Sequence, residues 1–349
     1  MKSGYRIALC LLLLLLVPLH FLEAHLADLC NQYHAGAYLI DWLSNTSPQS
    51  QWTAYKGDIK DKAIVMARLE EEPVHWVHEE LPDWQRAIYT VNPSKTTQAD
   101  GKRLKTPLNK GHESMAYLTY IIDHYDHLPS TIAFIHSHRS GFLTAWHVDA
   151  PLHDNVAALR SLRLDFVQRN GYVNLRCNLN PGCGETHRVN HNPHVTEAVW
   201  IEIFEGTSTP PVNSSEAVSR ASTTDKWENN PVHVQAESRS LPIPTQVAAT
   251  CCAQFAVSRD QVLRRPREDY IKIRQWVIDT DRSDASSGRV MEYLWHVIFA
   301  ARIKSSVTVR YTGNASWYIL QPCVSASSPG GGLFIAYDTA TTYHMLLNI

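Results

Sequence analysis

The stretch from residue 109 to residue 154 constrains the fold most, because it joins an amphipathic helix, a short apolar strand and a loop dense in ionisable residues. Apolar side chains recur at helical spacing over 115–125, and Leu128-Pro129 ends the predicted helix. The run at 131–135 has the composition of a buried strand. Ionisable groups just after a buried strand cost free energy unless they have a task, so we expect the chemistry to lie in this loop.

Strands and helices alternate along the first half of the chain. Four apolar runs have the length of buried strands: 63–69, 87–91, 131–135 and 172–175. The helical segments between them predict an α/β fold, with a mainly parallel sheet and helices on both faces. Ligands bind such sheets at the carboxyl ends of the strands, where Arg68, Glu70 and His136 fall.

The N-terminus has the form of a targeting segment. Lys2 and Arg6 precede an apolar block at 7–19, which is typical of a signal peptide; extension of the block to Leu22 leaves a signal-anchor helix equally open. The chain would then be secreted, or a single-pass type II protein of the Golgi or ER membrane. The predicted division is a leader at 1–24, a lead-in or stalk at 25–60, a single α/β domain at 61–300 with a flexible insertion at about 184–246, and an atypical tail at 301–349.

Charge and cysteine content limit the partners and the compartment. A net charge of -2 without a long basic run argues against a nucleic-acid polymer, and membrane contact is expected only through the N-terminal segment. Of the seven cysteines, all but Cys10 follow the leader, and we predict a disulfide between Cys177 and Cys183, with buried thiols as the alternative. Three sequons predict N-glycosylation at Asn45, Asn213 and Asn314.

The loop after the third predicted strand supplies the first candidate site. His136 and His138 are predicted catalytic residues, and Arg139 is placed to bind a diphosphate. His147 and Asp149 could bind a divalent metal such as Mn²⁺, although no standard zinc spacing occurs. The alternative is a set of ordinary surface or hydrogen-bonding side chains.

The last predicted helix, at 289–300, supplies the second candidate site. Glu292, Trp295 and His296 share one face, and a carboxylate between two such side chains predicts a general base with a raised pKa. The alternative is an amphipathic helix in which Glu292 pairs with His296 or an arginine. At the first strand end, Arg68 could bind a phosphate and Glu70 a ribose or base, with a surface salt bridge as the alternative.

Five long segments also carry a resemblance to a known family: NKGHESMAYLTYIIDHYDHLPSTIAFIHSHR, HVDAPLHDNVAALRSLRLDFV, GYVNLRCNLNPGC, CCAQFAVSRDQVLRRPREDY and SGRVMEYLWHVIFA. They resemble the fungal domain of unknown function family 3431 over roughly residues 63–300, with the insertion poorly matched. The tail at 301–349 departs from the family pattern, as an altered reading frame or a retained intron would produce. The positions matching the family blocks are Arg68, Asn109, Gly111, Glu113, His136, His138, Arg139, Asp149, Cys251, Cys252, Gln254, Ser258, Glu292 and Trp295.

The family's arrangement is similar to that of nucleotide-sugar glycosyltransferases of the GT-A type, which is an analogy of fold alone. The resemblance implies a glycosyltransferase-like protein whose strand ends hold a nucleotide-sugar and whose Glu292 deprotonates the acceptor. Asn109, Ser258 and Trp295 join the expected substrate-binding residues. The alternatives are a metal-dependent hydrolase that uses the His/Asp loop, and a non-catalytic secreted carbohydrate-binding protein.

Overall fold

The computed structural model describes residues 2–44, 61–95, 103–176, 194–207 and 251–299. The helices are α1 (Lys2–Gln32), α2 (Ala35–Leu43), α3 (His75–Glu80), α4 (Ser114–His124), α5 (Asn155–Ser161), α6 (Leu164–Asn170), α7 (Glu197–Phe204), α8 (Arg259–Val262), α9 (Arg267–Asp279) and α10 (Asp284–Ile298). The strands are β1 (Lys62–Arg68), β2 (Gln85–Thr90), β3 (Thr131–His136), β4 (Tyr172–Asn174) and β5 (Phe255–Ser258). This mixture of helices and strands confirms the predicted α/β class.

The five strands form one sheet in the order β2-β1-β3-β5-β4. Strand β1 pairs in parallel with β2 and β3, whereas β5 runs antiparallel to both of its neighbours. The sheet is therefore mostly parallel, as predicted. Because β5 is reversed, its first residue, Phe255, pairs with Phe134 near the carboxyl end of β3. Residues 251–254 therefore enter the sheet at the edge where the parallel strands end.

Alternating side chains of the strands divide the core into two layers. Val65, Phe134 and Phe255 face α4, α7, α9 and α10, whereas their neighbours Met66 and Ile135 face α3, α5 and α6. Successive side chains of a strand point to opposite faces, so both faces of this sheet are apolar and both are covered by helices. His136 follows the parity of Phe134 and lies on the α4 and α10 side.

Two helices differ from the sequence prediction at their ends. Apolar residues after Asp154 recur at helical spacing as far as Val167 and predict one helix, but the structure divides it into α5 and α6 at Leu162, whose backbone is extended, with a ψ of 119°. Ser161 Oγ donates to a backbone carbonyl of the last turn and so satisfies a free acceptor where α5 ends. Helix α10 begins before the predicted start at residue 289, because the Ser283 side chain accepts a hydrogen bond from the Ser286 backbone N–H.

The N-terminal apolar segment is helical and extends beyond the predicted leader. Helix α1 ends at Gln32, and its part from Leu12 onward is long and apolar enough to cross a membrane. It could therefore serve as a signal or as an anchor. Helix α2 follows directly and packs on the loop after β3, where the Tyr38 ring contacts Phe142 and His153.

Candidate functional site

His136 is the last residue of β3 and is fixed from two directions. It lies opposite Ala67 of β1, and its backbone N–H donates to Gln254 Oε1 at 2.8 Å. Burial, with the nearby His138 and His112, lowers the pKa of His136 to about 3. The ring is therefore neutral near pH 7, and a neutral imidazole both donates and accepts a proton.

His147 packs against His136 from the loop after β3. The two Nδ1 atoms lie 3.1 Å apart, and burial followed by the charge of His136 lowers the pKa of His147 to about 2. One Nδ1 must donate and the other accept, so the pair fixes the orientation of both rings. The other nitrogen of His136, Nε2, lies 3.9 Å from Glu113 Oε2 and has no hydrogen-bond partner among the described residues.

Glu113 and Glu292 bring two carboxyl groups to the same place. Burial raises the pKa of Glu113 to about 8, and the charge of Glu292 raises it further. Burial also raises the pKa of Glu292, although Arg289 opposes this with a hydrogen bond of 2.8 Å. Two like charges in a poorly solvated place cannot both ionise easily, so the pair retains a proton near neutral pH. We call Glu113, Glu292, Arg289, His136 and His147 the Glu113 cluster.

Two glycines allow the segment before α4 to approach its neighbours closely: Gly111 faces α9, and Gly288 belongs to α10. Gly111 has a φ of 77°, and a Cβ atom there would lie 2.5 Å from Val277 Cγ1. A Cβ atom at Gly288 would lie 2.6 Å from the His112 ring. The His112 backbone N–H donates to Asp284 Oδ1 at 2.9 Å, which attaches the segment before α4 to the start of α10. The absence of side chains at both glycines is therefore a condition of the cluster.

A disulfide between the adjacent Cys251 and Cys252 lies beside the same cluster. The chain turns here through positive φ angles at Cys252 and Ala253, 90° and 47°. The Cys252 backbone hydrogen-bonds to Glu292, where it lowers the carboxyl pKa, and to His136, where it raises the ring pKa. Segment 251–254 therefore connects β3, β5 and α10 at the carboxyl edge of the sheet.

Arg68 and His138 belong to a second group, on the opposite face of the sheet. Arg68 has the parity of Met66, and its Nη1 donates to the Glu72 carbonyl at 2.9 Å. The Glu72 carboxylate accepts from Ser137 Oγ at 2.7 Å and lies 3.6 Å from His138 Nε2. The sheet therefore separates Arg68 from Glu292, and His138 is joined to the Arg68 side through Glu72.

A small basic cavity borders Arg68 at the ends of β1 and β2. Its volume is about 350 Å³, and its lining includes Arg68, Arg86 and Arg103 together with Thr90. Glu70 does not line this cavity. Its carboxylate accepts a hydrogen bond from Ser94 Oγ at 3.0 Å and so connects the loops after the two strands.

Arg139 is bound on all sides by protein groups. Its Nε and Nη2 donate to the two oxygens of Glu80 at 2.6 and 2.8 Å, and its Nη1 donates to Asp154 Oδ2 at 2.7 Å. The hydrogen bond from Arg139 holds the pKa of Glu80 below its ordinary value, and the same bond raises the pKa of Arg139. We call these three residues the Arg139 cluster; with its charge already neutralised, Arg139 is poorly suited to bind a diphosphate.

The pair predicted to bind Mn²⁺ does not suit a metal. Asp149 Oδ1 lies 4.0 Å from Arg176 Nη1 and 3.6 Å from His34 Nδ1, while His147 Nδ1 faces His136. Within the described ranges, no group of three or more His, Cys, Asp or Glu side chains is arranged to hold a metal ion.

The remaining predicted residues lie elsewhere. Ser258 pairs with Thr131 at the opposite edge of the sheet, where its side chain caps α8. Trp295 is buried among the rings of Tyr117 and Phe255, and Asn109 is exposed in the loop before α4. The predicted disulfide and sequon positions lie outside the described residues: Cys177, Cys183, Asn45, Asn213 and Asn314.

Sequence reasoning did not include Glu113 among the site residues. A glutamate just before a helix is commonly explained by its attraction to the positive end of the helix dipole. The available signal was its place in the segment NKGHESM, which resembles a family block and contains a glycine two residues earlier.

The fold and the site together define an α/β protein with a buried acid–base cluster at the carboxyl edge of its sheet. The chain belongs to the protein family of unknown function DUF3431, whose profile matches residues 64–311. No curated protein and no solved structure matches it.

Proposed function

We propose that the protein is a glycosyltransferase-like enzyme that transfers a sugar from a nucleotide-sugar donor. The observation that carries this proposal is the pairing of Glu113 and Glu292 beside the neutral His136, at the edge where the parallel strands end. Ligands of open α/β sheets bind at that edge. The mostly parallel sheet also supports the resemblance to GT-A enzymes, and an apolar α1 suits a protein of the secretory pathway.

In the proposed reaction, Glu292 acts as the general base. Glu113 has a pKa of about 8 and so keeps the proton of the pair, which leaves Glu292 as the group that ionises first. The acceptor hydroxyl oxygen bonds to the anomeric carbon of the donor as the bond from that carbon to the diphosphate oxygen breaks. The hydroxyl proton passes to Glu292, and the nucleoside diphosphate leaves.

The basic cavity suits the diphosphate of the donor. Arg68, Arg86 and Arg103 line it, and guanidinium groups bind phosphate oxygens with two parallel hydrogen bonds. The cavity and Glu292 lie on opposite faces of the sheet, so the donor would have to cross the carboxyl edge to bring its diphosphate to the arginines and its sugar to Glu292. The proposal therefore assigns the anionic part of the donor to arginines, whereas the sequence had suggested Mn²⁺ at His147 and Asp149.

A panel of nucleotide-sugars tests the proposal with the purified full-length chain. Release of nucleoside diphosphate is measured with and without sugar acceptors, and with and without Mn²⁺. We expect Glu292→Gln to lower kcat by about 10²- to 10⁴-fold, because it removes the base and keeps the shape. Glu79→Gln, on the exposed side of α3, is the matched control and should leave turnover unchanged.

Failure takes three distinct forms in this assay. Neither binding nor hydrolysis of any donor rejects the proposal. Chelator-sensitive hydrolysis of other substrates without sugar transfer would instead indicate a metal-dependent hydrolase. Sugar binding without turnover, unchanged in Glu292→Gln, would indicate a carbohydrate-binding protein.

A further inference from the structure

Helix α2 uses one face to hold the loop that carries His147. Tyr38 on this face packs its ring against Phe142 and His153, with centroid distances of 5.1 Å in both contacts. Asp41, one turn later, hydrogen-bonds to the backbone of Leu152. Leu152 and His153 both have positive φ, 55° and 51°, which non-glycine residues adopt only when their surroundings hold them. Helix α2 supplies part of that support.

The other face of α2 is apolar and uncovered. Its large side chains are all more than half exposed: Leu39 at 53%, Ile40 at 65%, Trp42 at 63% and Leu43 at 67%. The smaller exposed residues, Gly36 and Ala37, add no charge to this face. A contiguous apolar surface on a short helix marks a place where something apolar binds.

Helix α1 indicates what covers this surface. Its apolar side chains remain exposed as far as Leu26, at 51%, and it ends only two residues before α2 begins. The six steps from Leu26 to Gln32 rise by about 9 Å in a helix. The headgroup layer of one leaflet is about 5–8 Å thick, so a helix that starts there has side chains within reach of the acyl chains. The apolar face of α2 therefore continues the apolar surface of α1 at the height of a membrane interface.

A protein partner fits this face less well than lipid does. Nine residues of helix are about 14 Å long, whereas a stable protein interface buries about 800 Å² on each partner. Trp42 near the end of α2 is the residue type that membrane interfaces favour. A lipid surface needs neither a large area nor matching polar groups, because any apolar side chain gains by entering it.

We propose that α2 lies in the lipid–water interface of a membrane, with Leu39, Ile40 and Leu43 among the lipids, and holds the loop after β3 at that surface. The loop reaches the Glu113 cluster through His147, whose Nδ1 lies 3.1 Å from that of His136. The neighbouring Trp146 ring packs on Tyr33, between α1 and α2, at a centroid distance of 5.1 Å. Arg176, which is buried, donates to the Gln32 carbonyl at 2.7 Å. The site edge is thereby attached to the membrane-facing helices, so substrates borne by a membrane reach it most directly.

Photo-crosslinking tests this placement on the full-length chain. Benzoylphenylalanine replaces Ile40 or Leu43, the protein is mixed with phosphatidylcholine vesicles, and adducts are identified by mass after irradiation. Leu263, which is 43% exposed beside α8 near the opposite edge of the sheet, is the matched control position. We expect phospholipid adducts at positions 40 and 43 to exceed those at 263 by about tenfold.

Each possible adduct decides the proposal. Phospholipid at 40 and 43 supports it, and the same label at Tyr38, on the inner face, should join the protein's own loop after β3. At positions 40 and 43, adducts to a second copy of the chain or to another segment of the same chain, or no adduct at all, overturn it. Vesicles are supplied in every case, so the outcome holds whether α1 is cleaved or retained. Neither donor nor acceptor is present, so the proposed glycosyl transfer can fail without affecting this result.

Discussion

The Arg139 cluster and the Glu113 cluster lie on either side of the end of β3 and differ in their electrostatics. The first joins opposite charges, whereas the second brings two carboxyl groups together. In the first, one guanidinium meets the carboxylates of Glu80 and Asp154, and the pKa of Glu80 falls. In the second, Glu113 and Glu292 face each other beside Arg289, which is 44% exposed, and both carboxyl pKa values rise. Matched charges stabilise a fold, whereas like charges held together by other contacts are typical of catalytic sites.

Of the substitutions considered, removal of the Arg139 side chain should have the largest effect on the free energy of unfolding. Arg139→Ala removes the guanidinium that is hydrogen-bonded to Glu80 and to the buried Asp154, and we expect the free energy of unfolding to fall by about 3 kcal/mol. Urea denaturation measures this change. Arg169→Ala is the control, because its pair with Asp165 is more than half exposed on both sides and should contribute less than about 0.5 kcal/mol. Equal effects of the two substitutions would show that the Arg139 cluster does not stabilise the fold more than an exposed ion pair does.

Glu113→Gln should change the pH dependence of stability. With a pKa of about 8 folded and 4.5 unfolded, Glu113 binds a proton only in the folded chain between those values, so stability falls as pH rises through this window. The variant lacks this loss, and we expect it to be more stable than the wild type by about 2 kcal/mol at pH 8 and equal to it at pH 4.

Urea denaturation at several pH values checks this prediction, with Glu79→Gln as the control. The pKa values of His136 and His147 are lowered, so their contribution is lost as pH falls below about 6.5, in the opposite direction. The wild type and Glu113→Gln both keep these histidines. The difference between their curves of unfolding free energy against pH therefore reports the contribution of Glu113. Parallel curves would mean that Glu113 is ionised in the folded protein.

Loss of the disulfide should have the smallest effect on global stability. A bond between neighbours closes almost no loop, so the double substitution Cys251→Ser and Cys252→Ser should lower the free energy of unfolding by less than about 1 kcal/mol. We expect faster hydrogen exchange at residues 252–254 and no change at Arg139. The exposed Cys30 supplies the control, Cys30→Ser. Unchanged exchange at 252–254 would show that the bond does not position this segment.

Sequence reasoning found the site residues whose placement depends on a single strand or helix. His136 was found because it ends an apolar strand, and Glu292 because it lies on the buried face of a helix. Ser258 was expected near the site, but β5 runs antiparallel and carries its last residue to the far edge of the sheet. Strand direction after a long connection depends on tertiary packing and has no local signal.

Partners that come from distant segments were beyond sequence reasoning. Arg139 has the form of a phosphate ligand, and only the structure brings Glu80 to it from α3, 59 residues away. The pairing of Glu113 with Glu292 depends on the close approach of α10 to the segment before α4, which Gly288 allows. A glycine in a helix has many explanations, so its role as a contact point cannot be inferred before the neighbouring ring is known.

The proposed chemistry of the Glu113 cluster depends on the absence of a Cβ atom at Gly288. A single methyl group at this position would press against the His112 ring, which leads directly into Glu113. The methyl group would push α10 away from the segment before α4, and so separate the carboxyl groups of Glu113 and Glu292 without contacting either of them. Burial is the largest cause of the raised pKa of Glu113 and the charge of Glu292 adds to it, so separating the two carboxyl groups would lower that pKa in part and weaken the acid–base pair on which the proposed function rests.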